Sequence, residues 1–131
     1  MAHTTLLLLT KDPSHPMAML ALRYAEAFLQ STDDPQQLSV FFYADAASIA
    51  NRLRWQSAEQ FNITKAWQAL AAQHALDLPV CVSTALSRGI TDTDNGTRHQ
   101  LTGDNLAAGY QLVGLGELAS LMQKDGRMIC F

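Results

Sequence analysis

Short apolar blocks recur along this chain with longer, helix-patterned segments between them, and no other feature restricts its fold as much. Residues 4–10 form the first block, a run of leucines between threonines that is closed by Lys11, Asp12 and Pro13. A run this short and uniformly apolar suits a strand buried on both faces of a sheet. Residues 38–43, rich in Val and Phe, give a second strand. Residues 78–82 give a third that ends at Cys81 or one residue beyond, with Pro79 tolerable only near a strand start or edge. Residues 110–113 and 127–131 complete the set.

The segments between the blocks read as helices. Pro16 stands where a first helical turn tolerates a missing N–H, Ser14 is a candidate cap, and Met17, Leu20, Ala21, Tyr24 and Phe28 recur at helical spacing up to about Gln30. Asp33-Asp34-Pro35 marks a turn. Asp45 is a candidate cap for a short helix over residues 46–53, and a helix over residues 61–74 lines up Ala66, Trp67, Leu70 and Ala71. Ser83 to Ser87 reads as a helical turn closed by Arg88-Gly89, and Gly114-Leu115-Gly116 leads into a helix from Glu117 to Lys124. Residues 91–104 are polar and patternless, the mark of a functional or mobile loop. Strand and helix alternate throughout, which predicts an α/β fold: a parallel sheet covered by helices on both faces, with reaction sites at the carboxyl ends of the strands.

At 131 residues the chain suits a single domain, and its 48% hydrophobic content is enough to fill a core. Nine basic against twelve acidic residues leave a net charge of −3, so direct gripping of nucleic acid phosphates is not expected. The leucine run is too short, and too poor in preceding basic charge, for a secretion signal. No apolar stretch reaches the ~20 residues a membrane span needs. The cytoplasm is the expected location, where the two cysteines stay reduced.

Cys81 is the leading candidate for chemistry. It stands at a strand's carboxyl end with Ser83 and Thr84 opening the next helical turn, where backbone N–H groups and the helix dipole favour a thiolate. The plainer reading is a small core residue, because free cysteine is among the most buried residue types. Arg88 lies seven residues further on, about 10 Å along a helix axis, too far to pair with the sulfur directly. It reads either as a source of positive potential or as an unpartnered surface arginine. Cys130, in the last strand, reads as buried and structural.

Other chemistries lack their residues. His3, His15, His74 and His99 share no metal-ligand spacing, and neither cysteine belongs to a Cys-x-x-Cys pair, so no metal site is expected. No dinucleotide fingerprint, phosphate loop or nucleophile elbow is present, so no cofactor is expected. Trp55 and Trp67 read as core or interface anchors.

The stretch Leu78-Pro79-Val80-Cys81-Val82-Ser83-Thr84-Ala85-Leu86-Ser87-Arg88-Gly89 resembles the DsrE/TusD family of sulfur-relay proteins. Val40-Phe41-Phe42-Tyr43, Ala66-Trp67-Gln68, Ala72-Gln73-His74, Asn105-Leu106, Gly114-Leu115-Gly116-Glu117-Leu118 and Arg127-Met128-Ile129-Cys130-Phe131 are similar to that family's blocks in order, from about Leu38 onward. Before Leu38 the chain departs from the pattern, with Lys11-Asp12-Pro13-Ser14-His15-Pro16 where such chains carry a glycine-containing turn.

The resemblance implies a three-layer α/β/α sandwich with a five-stranded parallel sheet. It also implies a sulfurtransferase whose Cys81 carries sulfur as a persulfide toward 2-thiolation of the tRNA wobble uridine. Its implied partners are TusB-like and TusC-like subunits in a hetero-oligomer, a TusA-like sulfur donor and a TusE-like acceptor. Two alternatives stay open within the resemblance: a non-catalytic scaffold subunit, and a subunit of dissimilatory sulfur oxidation. A small redox module on a flavodoxin-like core is a third, weaker for want of phosphate-binding glycines.

Overall fold

In the computed structural model, residues 4–124 and 126–131 are described; His3 lies outside them. Five strands, β1 (Thr5–Leu9), β2 (Leu38–Phe42), β3 (Leu78–Cys81), β4 (Tyr110–Val113) and β5 (Arg127–Cys130), form one all-parallel sheet in the order β4-β3-β2-β1-β5. The α/β alternation expected from the sequence is therefore the architecture found. The five helices are α1 (Pro16–Ser31), α2 (Ile63–His74), α3 (Val82–Ser87), α4 (Thr93–Arg98) and α5 (Leu115–Lys124), with 3-10 segments at Pro35–Gln37 and Ala44–Ala50.

The strand order decides which face each helix covers. From β1 to β4 the chain steps steadily in one direction, then returns past three strands to place β5 beside β1. Parallel crossovers are right-handed, so the helices of the first three crossovers share one face and α5, on the returning crossover, falls on the other. Side-chain parity agrees. Leu7, Leu9, Val40, Phe42, Leu78 and Val80 pack against α1, the Ala44–Ala50 segment, α2 and Ala85 of α3. Leu6, Phe41 and Cys81 point the opposite way, toward Leu118 and Leu121 of α5. The result is an α/β/α sandwich with unequal outer layers.

On the first face Trp67 is fully buried and meets Phe42 edge-on at 5.3 Å between ring centroids, and Phe42 meets Tyr110 at 5.5 Å. Each such large side chain contributes about 1.5–3 kcal/mol by leaving water. The Tyr110 hydroxyl donates to the Thr64 carbonyl at 3.0 Å. Burial pushes its phenol well above the ordinary range, an effect that Arg54 only partly offsets. The α5 face is different, since no residue of α5 is buried.

Several local expectations are corrected. α1 is capped by His15, whose Nδ1 accepts from the Met17 N–H at 3.0 Å. Ser14 is already engaged with Asp12, its N–H and hydroxyl donating to Oδ1 at 2.8 and 2.6 Å. The expected helix over residues 46–53 is a 3-10 segment starting at Ala44, with Tyr43 at its cap position and Asp45 inside its first turn. α2 begins at Ile63 because the Asn62 side chain accepts from Lys65 N–H, and α5 starts at Leu115. Residues 91–104 are not patternless: Asp92 accepts from Asn95 N–H and starts α4. Trp55 is 84% exposed, so it is no core anchor. Among the described residues no helix is long and apolar enough to cross a membrane.

Candidate functional site

The carboxyl ends of β1, β2 and β3 open onto one edge of the sheet, and Cys81 stands there as the last residue of β3 and the cap position of α3. Its backbone is extended, at φ −60° and ψ 119°, and its side chain makes no capping hydrogen bond. The N–H support anticipated for a thiolate is thus absent as a direct bond. The sulfur turns instead toward the α5 side of the sheet. In register it pairs with Val113 of β4, and one step beyond the Phe42–Val80 pair it stands beside Tyr43. Tyr43, Val113 and Leu118 are half-buried members of the same apolar cluster, and Cys81 itself is 1% exposed. Cys81 is packed as a core residue, as the plainer reading expected, at a strand end of the kind where parallel sheets place their ligand sites.

A polar frame fixes the opposite side of this edge. The Thr84 hydroxyl donates to the Cys81 carbonyl at 3.3 Å. Arg88 donates through Nη1 to the Thr84 carbonyl and the Ser87 hydroxyl, at 3.1 and 3.2 Å. Its Nε and Nη2 reach Asp45 Oδ1 at 3.2 and 2.8 Å. Arg88 is thus neither unpartnered nor directed at the sulfur; it ties α3 to the Ala44–Ala50 segment. Asp45 serves as that pair's anion rather than as a helix cap.

Asn105, from the polar stretch before β4, completes the frame. Its Oδ1 accepts from Thr91 N–H at 2.9 Å, and its Nδ2 donates to Asn51 Oδ1 at 3.1 Å and to the Gly89 carbonyl at 2.9 Å. One amide side chain holds together the loops that follow β2 and α3. Sequence patterning carries no signal for this role, because a bridging asparagine looks like any polar loop residue.

Cys130 is exposed, not buried as expected. It lies on edge strand β5 across three inter-strand spacings from Cys81, a separation of about 14 Å or more. That is far beyond the ~7 Å limit for a disulfide. Among the described residues no cluster of three or more His, Cys, Asp or Glu is arranged to hold a metal.

The profile of the DsrE/DsrF-like family matches residues 3–131. The chain is 40% identical over 114 residues to a protein of Vibrio parahaemolyticus named "Sulfurtransferase TusD homolog", covering 87% of this chain and 86% of that one. It is 38% identical over 126 residues to "Sulfurtransferase TusD" of Pectobacterium carotovorum, covering 95% and 96%. A Pseudomonas aeruginosa protein named "Sulfurtransferase TusD homolog" is 36% identical over 92% of this chain and 91% of its own. The crystal structure of the ychN protein from E. coli superposes over the full length of both chains with a TM-score of 0.76 at 18% identity, a likeness of fold. The family match over residues 3–131, with relatives at 36–40% identity over most of the chain, places the chain in the DsrE/DsrF-like family.

Proposed function

We propose that this chain is a sulfurtransferase subunit in which Cys81 carries sulfur as a persulfide. The observation that carries the reading is the placement of Cys81 at the carboxyl end of an inner parallel strand, while the other cysteine lies on the edge strand. The names of the relatives, sulfurtransferases at 36–40% identity over most of the chain, support the same reaction class.

The transfer needs one nucleophile. The Cys81 thiolate attacks the outer sulfur of a donor protein's persulfide, a new S–S bond forms on Cys81, the donor's S–S bond breaks, and the donor leaves as a thiolate. The same step in reverse sense passes the sulfur onward to an acceptor cysteine. No second cysteine, metal or nucleotide enters the balance. In the full reading the donor is TusA-like, the acceptor TusE-like, and TusB-like and TusC-like subunits share a cytoplasmic hetero-oligomer whose sulfur ends at C2 of the tRNA wobble uridine.

The test is mass spectrometry of the chain after incubation with a persulfide-loaded donor. A gain of about 32 Da, one sulfur atom, should appear on the Cys81 peptide and vanish in Cys81→Ser. A gain that survives Cys81→Ser and is lost in Cys130→Ser would overturn the assignment. The second reading, a non-catalytic scaffold subunit, draws on the 1% exposure of Cys81. It requires that Cys81→Ala leave sulfur transfer intact while removal of the chain abolishes it.

A further inference from the structure

A carrier sulfur must meet another protein's sulfur, yet Cys81 is 1% exposed, so some part of its cover has to move. We propose that α5 is that cover, anchored at its carboxyl end and joined to β4 through Gly114 and Gly116, and that lifting its first turns opens the route to Cys81. The inference rests on the persulfide reading only for its purpose, because the opening itself is a property of the fold.

Two layers border the sheet edge where Cys81 stands, and they differ in what holds them shut. The route between α3 and the Ala44–Ala50 segment is closed by fully buried Ala46, Ala47, Ala50 and Ala85, and by the Arg88–Asp45 ion pair at 2.8 Å. The route under α5 is closed by a helix none of whose residues is buried. Leu118 and Leu121 reach the sheet but stay half-exposed, and Leu115 and Met122 are each 50% exposed. A groove of about 490 Å³ runs along one side of α5, beside Ser39, Pro79 and Leu121, and one of about 220 Å³ along the other, beside Leu6, Met122 and Met128. Elements with few buried apolar contacts open locally at a fraction of the global unfolding free energy.

The attachments are unequal along the helix. At its carboxyl end the Thr4 hydroxyl donates to the Lys124 carbonyl at 3.2 Å, and Gly126 N–H donates to the Thr4 carbonyl at 3.0 Å. Among the described residues no hydrogen bond joins Leu115 through Met122 to another element. The free end is also the end over the sulfur, since α5 begins two residues after Val113, the register partner of Cys81. Neither Gly114 nor Gly116 has a left-handed φ, and a Cβ added at either would meet nothing within 4 Å. Glycine at these two positions gives the backbone between β4 and the lifted end more conformational freedom than any other residue would.

The test is the rate of Cys81 alkylation by N-ethylmaleimide in the full chain carrying Cys130→Ser, followed by peptide mass spectrometry. When closing outpaces reaction, that rate tracks the open population. Gly116→Ala, which removes backbone freedom without a clash, should slow alkylation about two- to fivefold. Leu118→Ala, which weakens the cover, should speed it at least about threefold. Asp45→Asn, which frees Arg88 on the other route, should leave it unchanged. Parental rates in both α5 variants, or acceleration by Asp45→Asn, would overturn the proposal. If Leu118→Ala does not fold, Gly116→Ala and deuterium uptake over α5 decide: uptake faster than in α2, and reduced by Gly116→Ala, is expected, and uptake matching the core would refute the cover. The readout involves no sulfur donor, so failure of the cover and failure of the carrier assignment are separate results.

Discussion

Asn105→Ala is the sharpest test of the polar frame around the candidate site. The substitution removes three side-chain hydrogen bonds, from Thr91 N–H and to Asn51 Oδ1 and the Gly89 carbonyl, all between 2.9 and 3.1 Å. It leaves the backbone pairing of Asn105 with Thr91 and Arg52 in place. Each bond contributes about 0.5–1.5 kcal/mol net, and the Thr91 N–H, on a residue only 6% exposed, loses its side-chain acceptor without easy access to water. Because the three bonds share one half-buried side chain, their loss is less than additive, and about 2 kcal/mol is the expected destabilisation. For a chain of this length that corresponds to a fall in Tm of about 8 °C, to be read by calorimetry together with urea unfolding at constant m. Hydrogen exchange should quicken at Gly89–Thr91 before it quickens in β1 or β2. A Tm within about 2 °C of the parent, or exchange that quickens uniformly, would show that the loops after β2 and α3 are held by packing and would refute the bridging role.

Three further outcomes follow from single residues. Tyr110→Phe should cost about 1 kcal/mol near neutral pH by deleting the bond to Thr64. Burial raises the folded Tyr110 value above the unfolded one, so its stabilisation is complete below the unfolded value near ~10 and is lost as pH rises beyond it. Chemical denaturation across that window should show a steeper alkaline fall in the parent than in Tyr110→Phe. Asp12 has the opposite sign: Ser14's hydroxyl and N–H lower its folded value, so its contribution is full above the unfolded value near ~3.9 and lost as pH falls through the folded one. Asp12→Asn should therefore flatten the acid limb of urea midpoints slightly, the group being almost wholly in water. Gly89→Ala should cost about 1–2 kcal/mol in thermal unfolding, since Gly89 holds φ at +77° with open space around it and the penalty is purely one of backbone conformation.

Strands were legible in the sequence because each is a short apolar run punctuated by Pro, Gly or Asp. β3 ends at Cys81, within the limits its residues set, and Pro79 sits at the strand's second position. Helix ends were less legible because capping is a competition between neighbours. Ser14 and His15 both carry acceptors, and which one caps α1 depends on Asp12 already holding Ser14. Asp45 has the chemistry of a cap but lies opposite an arginine brought in from α3 by the sheet. α4 has no apolar stripe to announce it; it rests on the Asp92 cap and on Gly96, where an added Cβ would stand 3.1 Å from the Gly103 carbonyl. Cys130 reads as buried from its apolar neighbours, but its exposure follows from β5 being an edge strand, which is a fact of strand order. The strand-end position of Cys81 and its burial were legible; the bridging role of Asn105 was not.

Parity and topology together determine how the thiol is covered. Val80 and Cys81 are adjacent, yet Val80 faces the side packed by α1, α2 and α3, and Cys81 faces α5. A cysteine one residue earlier would lie under the thick layer, because successive strand residues point to opposite faces. The thin layer is thin for a reason that precedes any detail of α5. With the order β4-β3-β2-β1-β5, three crossovers run one way and one returns, so right-handedness assigns a single helix to the second face. Enriching α5 in leucine would add contacts but could not add a second helix. Cys81, 1% exposed, thus lies beneath a layer of one helix none of whose residues is buried, and local opening on this face would disrupt less buried apolar contact than opening on the other.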